Sequence, residues 1–190
     1  MVGSKGRGSN MAALALACRD PEFPADIVAV ISPKDETPAV ERARSMGLEV
    51  EIASTKEPGY EELLTVLLVH HRVEWICLAG LMTKLPSNLV ETYAGRILNI
   101  HPALLPKFGG KGMYGMHVHE AVIAAGEVES GCSVHIVTEE YDEGPVILQK
   151  RCPVFQDDTP ESLAVRVLGL ENVAYPEALR AVIEGSQVGR

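Results

Sequence analysis

Short apolar runs alternate with amphipathic stretches over most of the chain, and the alternation reads as strand, helix, strand. Asp26–Ile31, Leu48–Ala53 and Trp75–Leu81 are rich in branched and apolar residues, and each predicts a buried strand. Trp75–Leu81 is apolar on both faces, the pattern of a central parallel strand. Between these runs Pro38–Met46 predicts a short helix closed by Gly47 as its C-cap. Glu57–Val73 predicts a helix with Leu63, Leu64, Leu67 and Leu68 on its apolar side. Met11–Cys18, Pro86–Tyr93 and His117–Ala125 read as further helices, and Pro160 starts a C-terminal helix that Pro176 is expected to break. Cys132–Thr138 and Pro145–Lys150 predict two strands close enough to pair antiparallel. The expected fold is α/β: a doubly wound, mostly parallel sheet with helices on both faces and an antiparallel strand near the C-terminal part. No repeat or composition shift interrupts the pattern, so residues 1–190 read as one domain.

Composition changes this picture by exclusion. With 46% hydrophobic residues the chain can bury a substantial core, and a net charge of −9 argues against nucleic acid as a partner. No apolar run approaches the roughly 20 residues that span a bilayer. Cys18, Cys77, Cys132 and Cys152 are far apart, without metal or redox spacing, and read as reduced thiols of a cytoplasmic protein, mostly core fillers.

The candidate chemistry starts at Ile97-Leu-Asn-Ile-His-Pro102. Side chains alternate along a strand, so Asn99 and His101 share a face, and Pro102 cannot donate to a ladder, which ends the strand after His101. An amide and an imidazole then sit beyond the carboxyl end of a strand, the edge where open α/β sheets bind ligands. The glycine-rich Pro106–Gly115 follows directly and reads as an active-site loop. Near the start, Gly6-Arg-Gly-Ser-Asn10 feeds a helix N-terminus, which can hold an anion on backbone N–H groups. Ser9 or Asn10 is equally suited to cap that helix. His117-x-His119 lacks the carboxylate or cysteine partners that would complete a metal site.

Gly6–Asn10, Ala79–Met82, Leu98–Pro106, Gly131–His135 and Tyr141–Ile147, in this order, resemble the phosphoribosylglycinamide formyltransferase family of folate-dependent formyltransferases. The resemblance runs from Gly6 to about Tyr175 and implies a Rossmann-like fold. It also implies transfer of a formyl group from 10-formyltetrahydrofolate to the amine of glycinamide ribonucleotide, without a metal. By resemblance Asn99 and His101, the latter as imidazolium, donate to the oxygen that becomes negative, and Asp142 holds His101 charged and relays a proton. Gly8, Ser9, Asn10 and Glu171 would bind the ribonucleotide. Met82, Thr83, Lys84 and Leu85, with Asn99 and the Thr138, Glu139, Glu140, Tyr141 and Asp142 loop, would bind the folate. His135 would lie near the site but outside the catalytic set. The resemblance implies a monomer or homodimer acting on small molecules. Two other readings stay open: a formyltetrahydrofolate deformylase, which delivers the formyl group to water, and a non-catalytic folate- or nucleotide-binding protein. The largest departure from the family pattern is at the start. Only a few residues precede Gly6, so the first strand is expected to be truncated, with Met1–Lys5 at most a token strand and phosphate binding weakened.

Overall fold

Parallel pairing of short apolar segments builds the first half of the chain. The structure is a computed structural model that describes residues 1–3 and 6–187, in two units, Met1–Ile97 and Leu98–Arg190. The first unit alternates α1 (Ser9–Ala17), β1 (Val30–Ser32), α2 (Pro38–Ser45), β2 (Val50–Ile52), α3 (Tyr60–His70), β3 (Ile76–Leu78) and α4 (Ser87–Thr92). The order is the predicted one, but the strands are shorter than the apolar runs that announce them. β1 and β2 pair in parallel over only Val30–Ser32 and Val50–Ile52. Ile27 and Leu48 instead pack on the cluster of Val2, Met11, Val30, Ala39 and Ala43 without joining the ladder. Hydrophobicity reports burial, and burial does not require a strand partner.

The token strand forms. Val2 N–H donates to the Ile31 carbonyl at 3.0 Å, Gly3 N–H to the Ala79 carbonyl at 3.1 Å, and Ala79 N–H to the Met1 carbonyl at 2.9 Å. Val2 thus bridges Ala79 in parallel and is 1% exposed. Backbone groups that would otherwise lie unpaired beside β1 and after β3 are satisfied there. Ser4 and Lys5, the rest of the predicted token strand, lie outside the described residues. The α2 boundaries follow their signals. The Thr37 hydroxyl accepts the Val40 N–H at 3.2 Å with Pro38 at the first helical position. At the other end, Leu48 N–H reaches the Ala43 carbonyl and Gly47 N–H the Arg44 carbonyl, both at 3.0 Å, closing a Schellman turn.

The second unit contains β4 (Ile97–His101, with Ile97 at the boundary), α5 (Met116–Ala124), β5 (Glu129–Ile136), β6 (Val146–Pro153) and α6 (Pro160–Gln187). β5 runs antiparallel to both β4 and β6, the reversed strand that the sequence pattern predicts. Pairing starts at Glu129, before the apolar run, because β6 extends to Pro153 and supplies partners.

Pro176 does not break the last helix; α6 continues through it to Gln187. Leu163, Val167, Ala174, Tyr175, Ala178, Leu179 and Ile183 recur at helical spacing and are all buried. The Tyr175 hydroxyl also donates to the Leu98 carbonyl at 2.9 Å in the core. Packing on both sides of the proline outweighs the roughly 3 kcal/mol that a mid-helix proline costs. Pro176→Ala is therefore expected to raise stability by about 1–2 kcal/mol, after a partial offset from the freer unfolded chain. The midpoint of urea unfolding measures this, and an unchanged or lower midpoint refutes it.

Candidate active site

β4 ends at His101, and its register against β5 sets Asn99 opposite His135 and His101 opposite Ser133 on one face of the sheet. The loop after Gly131–Ile136 returns Asp142 to the same place. Asp142 stands 3.5 Å from His101 Nδ1 through Oδ2 and 3.4 Å from His135 Nε2 through Oδ1. Asn99 Nδ2 lies 3.1 Å from His135 Nε2, and His135 Nδ1–H donates to the Ile136 carbonyl at 2.9 Å. That carbonyl fixes the proton on Nδ1, so an unprotonated Nε2 accepts from Asn99 and a protonated one donates to Asp142. One amide N–H of Asn99 remains for another acceptor. Asn99, His101 and Asp142, predicted from separate stretches of sequence, come together, and His135, left outside the catalytic set, is the atom-to-atom link between two of them.

The glycine-rich loop is tied to this cluster. His101 Nε2–H donates to the Phe108 carbonyl at 2.7 Å, and Gly110 N–H donates to Asp142 Oδ2 at 2.9 Å. At Gly109 a Cβ would stand 2.5 Å from Leu105 Cδ2 and 3.2 Å from Asp142 Cβ, so any side chain there would have to displace the end of Leu105. Phe108 and Asp142 sit at φ values of 56° and 58°, a left-handed conformation that costs a non-glycine residue roughly 1 kcal/mol or more.

Electrostatics here correct one expectation. His101 is 3% exposed, and burial holds its imidazole below the ordinary 6.5. Asp142 and the Phe108 carbonyl pull upward without overcoming burial, so His101 is not held as the imidazolium that the family resemblance implies. For Asp142 burial pushes the carboxyl up, but the His135 hydrogen bond, the His101 charge and the Gly110 N–H together hold it below the usual carboxylate range. Asp142 is the fixed anion of the site.

Both shifts are downward, so the unfolded chain binds more protons than the folded one as pH falls. The stability that these two groups contribute is therefore fully present above neutrality. It should be lost first as pH falls below the ordinary imidazole value of 6.5, and further below the ordinary carboxyl value of 3.8. Burial lowers His119 as well, so it adds to the first window. Melting temperature measured against pH checks this: His101→Gln should flatten part of the slope that opens below pH 6.5. An identical slope would refute it.

The remaining predicted residues are placed within their own units. In the first, Ser9 and Asn10 are the opening residues of α1, and neither caps it; the cap position is Gly8, left-handed at φ 68°, with no side-chain cap. No acidic residue stands in the first turn of α1, whose N–H groups are those of an anion-binding helix start. Met82, Thr83 and Lys84 are exposed on the segment after β3, and Leu85 is buried. In the second unit Thr138, Glu140 and Tyr141 are exposed and Glu139 is half-buried. Glu171 is 9% exposed on α6, and its charge assists burial in pushing the Cys132 thiol up to about 12. His119 is 5% exposed on α5, while His117 is exposed and stacks at a tilt on Tyr114. Among the described residues, Glu49, Glu51 and His71 converge as potential metal ligands in the first unit, where His71 Nε2 is already paired with Glu51 at 2.9 Å. No helix among the described residues is long and apolar enough to cross a membrane.

Known proteins resemble this chain over nearly its whole length. A family model described as formyl transferase matches residues 1–179. The chain is 41% identical over 185 residues to the chloroplastic phosphoribosylglycinamide formyltransferase of Arabidopsis thaliana, covering 94% of this chain and 63% of that one. It is 38% identical over 184 residues to the phosphoribosylglycinamide formyltransferase of Escherichia coli K12, covering 95% and 84%. The crystal structure of phosphoribosylglycinamide formyltransferase from Brucella melitensis superposes with a TM-score of 0.86 at 41% identity, covering 95% and 92%. With the family model spanning both units and a relative of this identity covered over most of its length, the chain belongs to the formyl transferase family.

Proposed function

We propose that this chain moves a formyl group from 10-formyltetrahydrofolate to the amine of glycinamide ribonucleotide, the purine-building reaction named by its relatives. The observation that carries the reading is the convergence of Asn99, His101 and Asp142 at the carboxyl end of β4. In this reading Asn99 Nδ2 donates a hydrogen bond to the oxygen that becomes negative as the amine adds to the formyl carbon, and His101, whose Nε2–H is held by the Phe108 carbonyl, donates a second from Nδ1 once the ring takes up a proton. Asp142, ionised and within reach of both histidines, takes the proton that the amine loses. The new carbon–nitrogen bond forms first; collapse of the oxyanion then breaks the old one, and the folate nitrogen leaves with the proton that Asp142 took from the amine. A folate fits the donor set: the site offers amide, imidazole and carboxylate groups, with the exposed Tyr141 on the same loop as Asp142.

The same reading assigns Gly8, Ser9, Asn10 and Glu171 to the ribonucleotide, the first three through the α1 start. It assigns Met82–Leu85, Asn99 and Thr138–Asp142 to the folate. Residues 1–190 then act as one formyltransferase domain, as a monomer or homodimer without a metal, in the cytoplasm. The test follows absorbance of 10-formyltetrahydrofolate with and without the ribonucleotide. Consumption only when the ribonucleotide is present supports the transferase. Consumption without it moves the assignment to a deformylase. Binding of both ligands with no consumption moves it to a binding protein.

A further inference from the structure

We infer that Gln149 is a positioning residue for His101, acting through the Ala103–Phe108 turn; the inference rests on the formyl-transfer reading above. The register sets Gln149 on β6 opposite Ser133 on β5, and Ser133 opposite His101 on β4, so the three side chains share one face. Gln149 does not touch His101. Its Nε2 donates to the Leu105 carbonyl and to the Ser133 hydroxyl, both at 2.9 Å. The Ser133 hydroxyl donates to the Ala103 carbonyl at 2.6 Å and accepts the Leu105 N–H at 3.0 Å. A hydroxyl has one proton and two lone pairs, and an amide nitrogen two protons, so both groups are fully used. Leu105 is thereby gripped at its N–H and its carbonyl.

That grip decides where the next residues go. Phe108 must bring its carbonyl onto His101 Nε2, and Gly110 its N–H onto Asp142. Leu104, Leu105, Phe108 and Gln149 also line a cavity of about 270 Å³, so packing on that side of the turn is incomplete. Phe108 also sits in the left-handed region, so a released turn has strain to relax. Hydrogen bonds from Gln149 and Ser133 are what keep the Phe108 carbonyl in place.

Gln149→Leu keeps the volume and deletes both donors. It should lower kcat for formyl transfer by about 10- to 100-fold, as expected for misplacement by a fraction of an ångström to one ångström. KM for both substrates should stay within about twofold. In the same variant the ¹⁵N-correlated signal of His101 Nε2–H should move or broaden, reporting loss of the Phe108 hydrogen bond. An unchanged kcat with an unchanged signal would overturn the assignment. So would a lower stability with normal kcat per folded molecule, which is a structural role only. If the unsubstituted protein transfers no formyl group, the functional reading fails, and the His101 signal in Gln149→Leu still decides whether Gln149 positions the ring.

Discussion

Asp142→Asn is expected to lower formyl transfer by about 10²–10⁴-fold while the protein stays folded, the range for losing a positioned proton acceptor. The substitution preserves size and leaves an oxygen that can still accept the Gly110 N–H. It removes an anion that lies against both His101 and His135. Two consequences follow from the same charge. The amine's proton loses its destination, and His101 loses the carboxylate that partly opposes burial, so its imidazole falls still further below 6.5. The loss should therefore sit in kcat rather than in KM for either substrate. Steady-state kinetics with a melting curve alongside measure it. An enzyme within about tenfold of the original, with both KM values unchanged, would remove Asp142 from the chemistry.

His101→Ala is expected to lower kcat by about 10²–10³-fold, the scale for removing one donor from a developing oxyanion. It has a second effect that the first substitution lacks. The Phe108 carbonyl loses the N–H that it accepts at 2.7 Å, in a site where the ring is 3% exposed. An orphaned buried carbonyl costs about 1–3 kcal/mol, so a fall in melting temperature should accompany the kinetic loss. The pair of outcomes separates the roles: His101→Ala orphans a buried carbonyl, whereas Asp142→Asn keeps an acceptor for the Gly110 N–H and gives up only the stability that the site lends the ionised carboxylate. If His101→Ala melted lower yet turned over normally, the ring would be a fastener for the loop and no donor to substrate.

The two catalytic candidates on β4 were legible because their geometry is local. A period of two puts Asn99 and His101 on one face, and Pro102 ends the strand wherever the rest of the chain goes. Motif order then brought in Asp142, which no local rule joins to β4. His135 was underrated for the opposite reason. Its neighbours along the strand, Ser133 and Val137, say nothing of chemistry, and only the β4–β5 register sets it opposite Asn99. A search for polar residues at facing positions of two adjacent strands would have found it.

By itself the sequence determined the order of elements, the Pro38 and Gly47 boundaries of α2, the reversed β5 and the strand stop at Pro102. These depend on φ/ψ limits, missing N–H groups and side-chain period, which act over a few residues. Tertiary structure alone decided the rest. It shortened β1 to the length of β2, slotted Val2 between Ile31 and Ala79, and carried α6 through Pro176. It also left His101 short of the charge expected for it, because burial is set by everything packed around the ring. Partner length, burial and the electrostatics of a closed site are properties of distant segments meeting, and local residue preferences do not contain them.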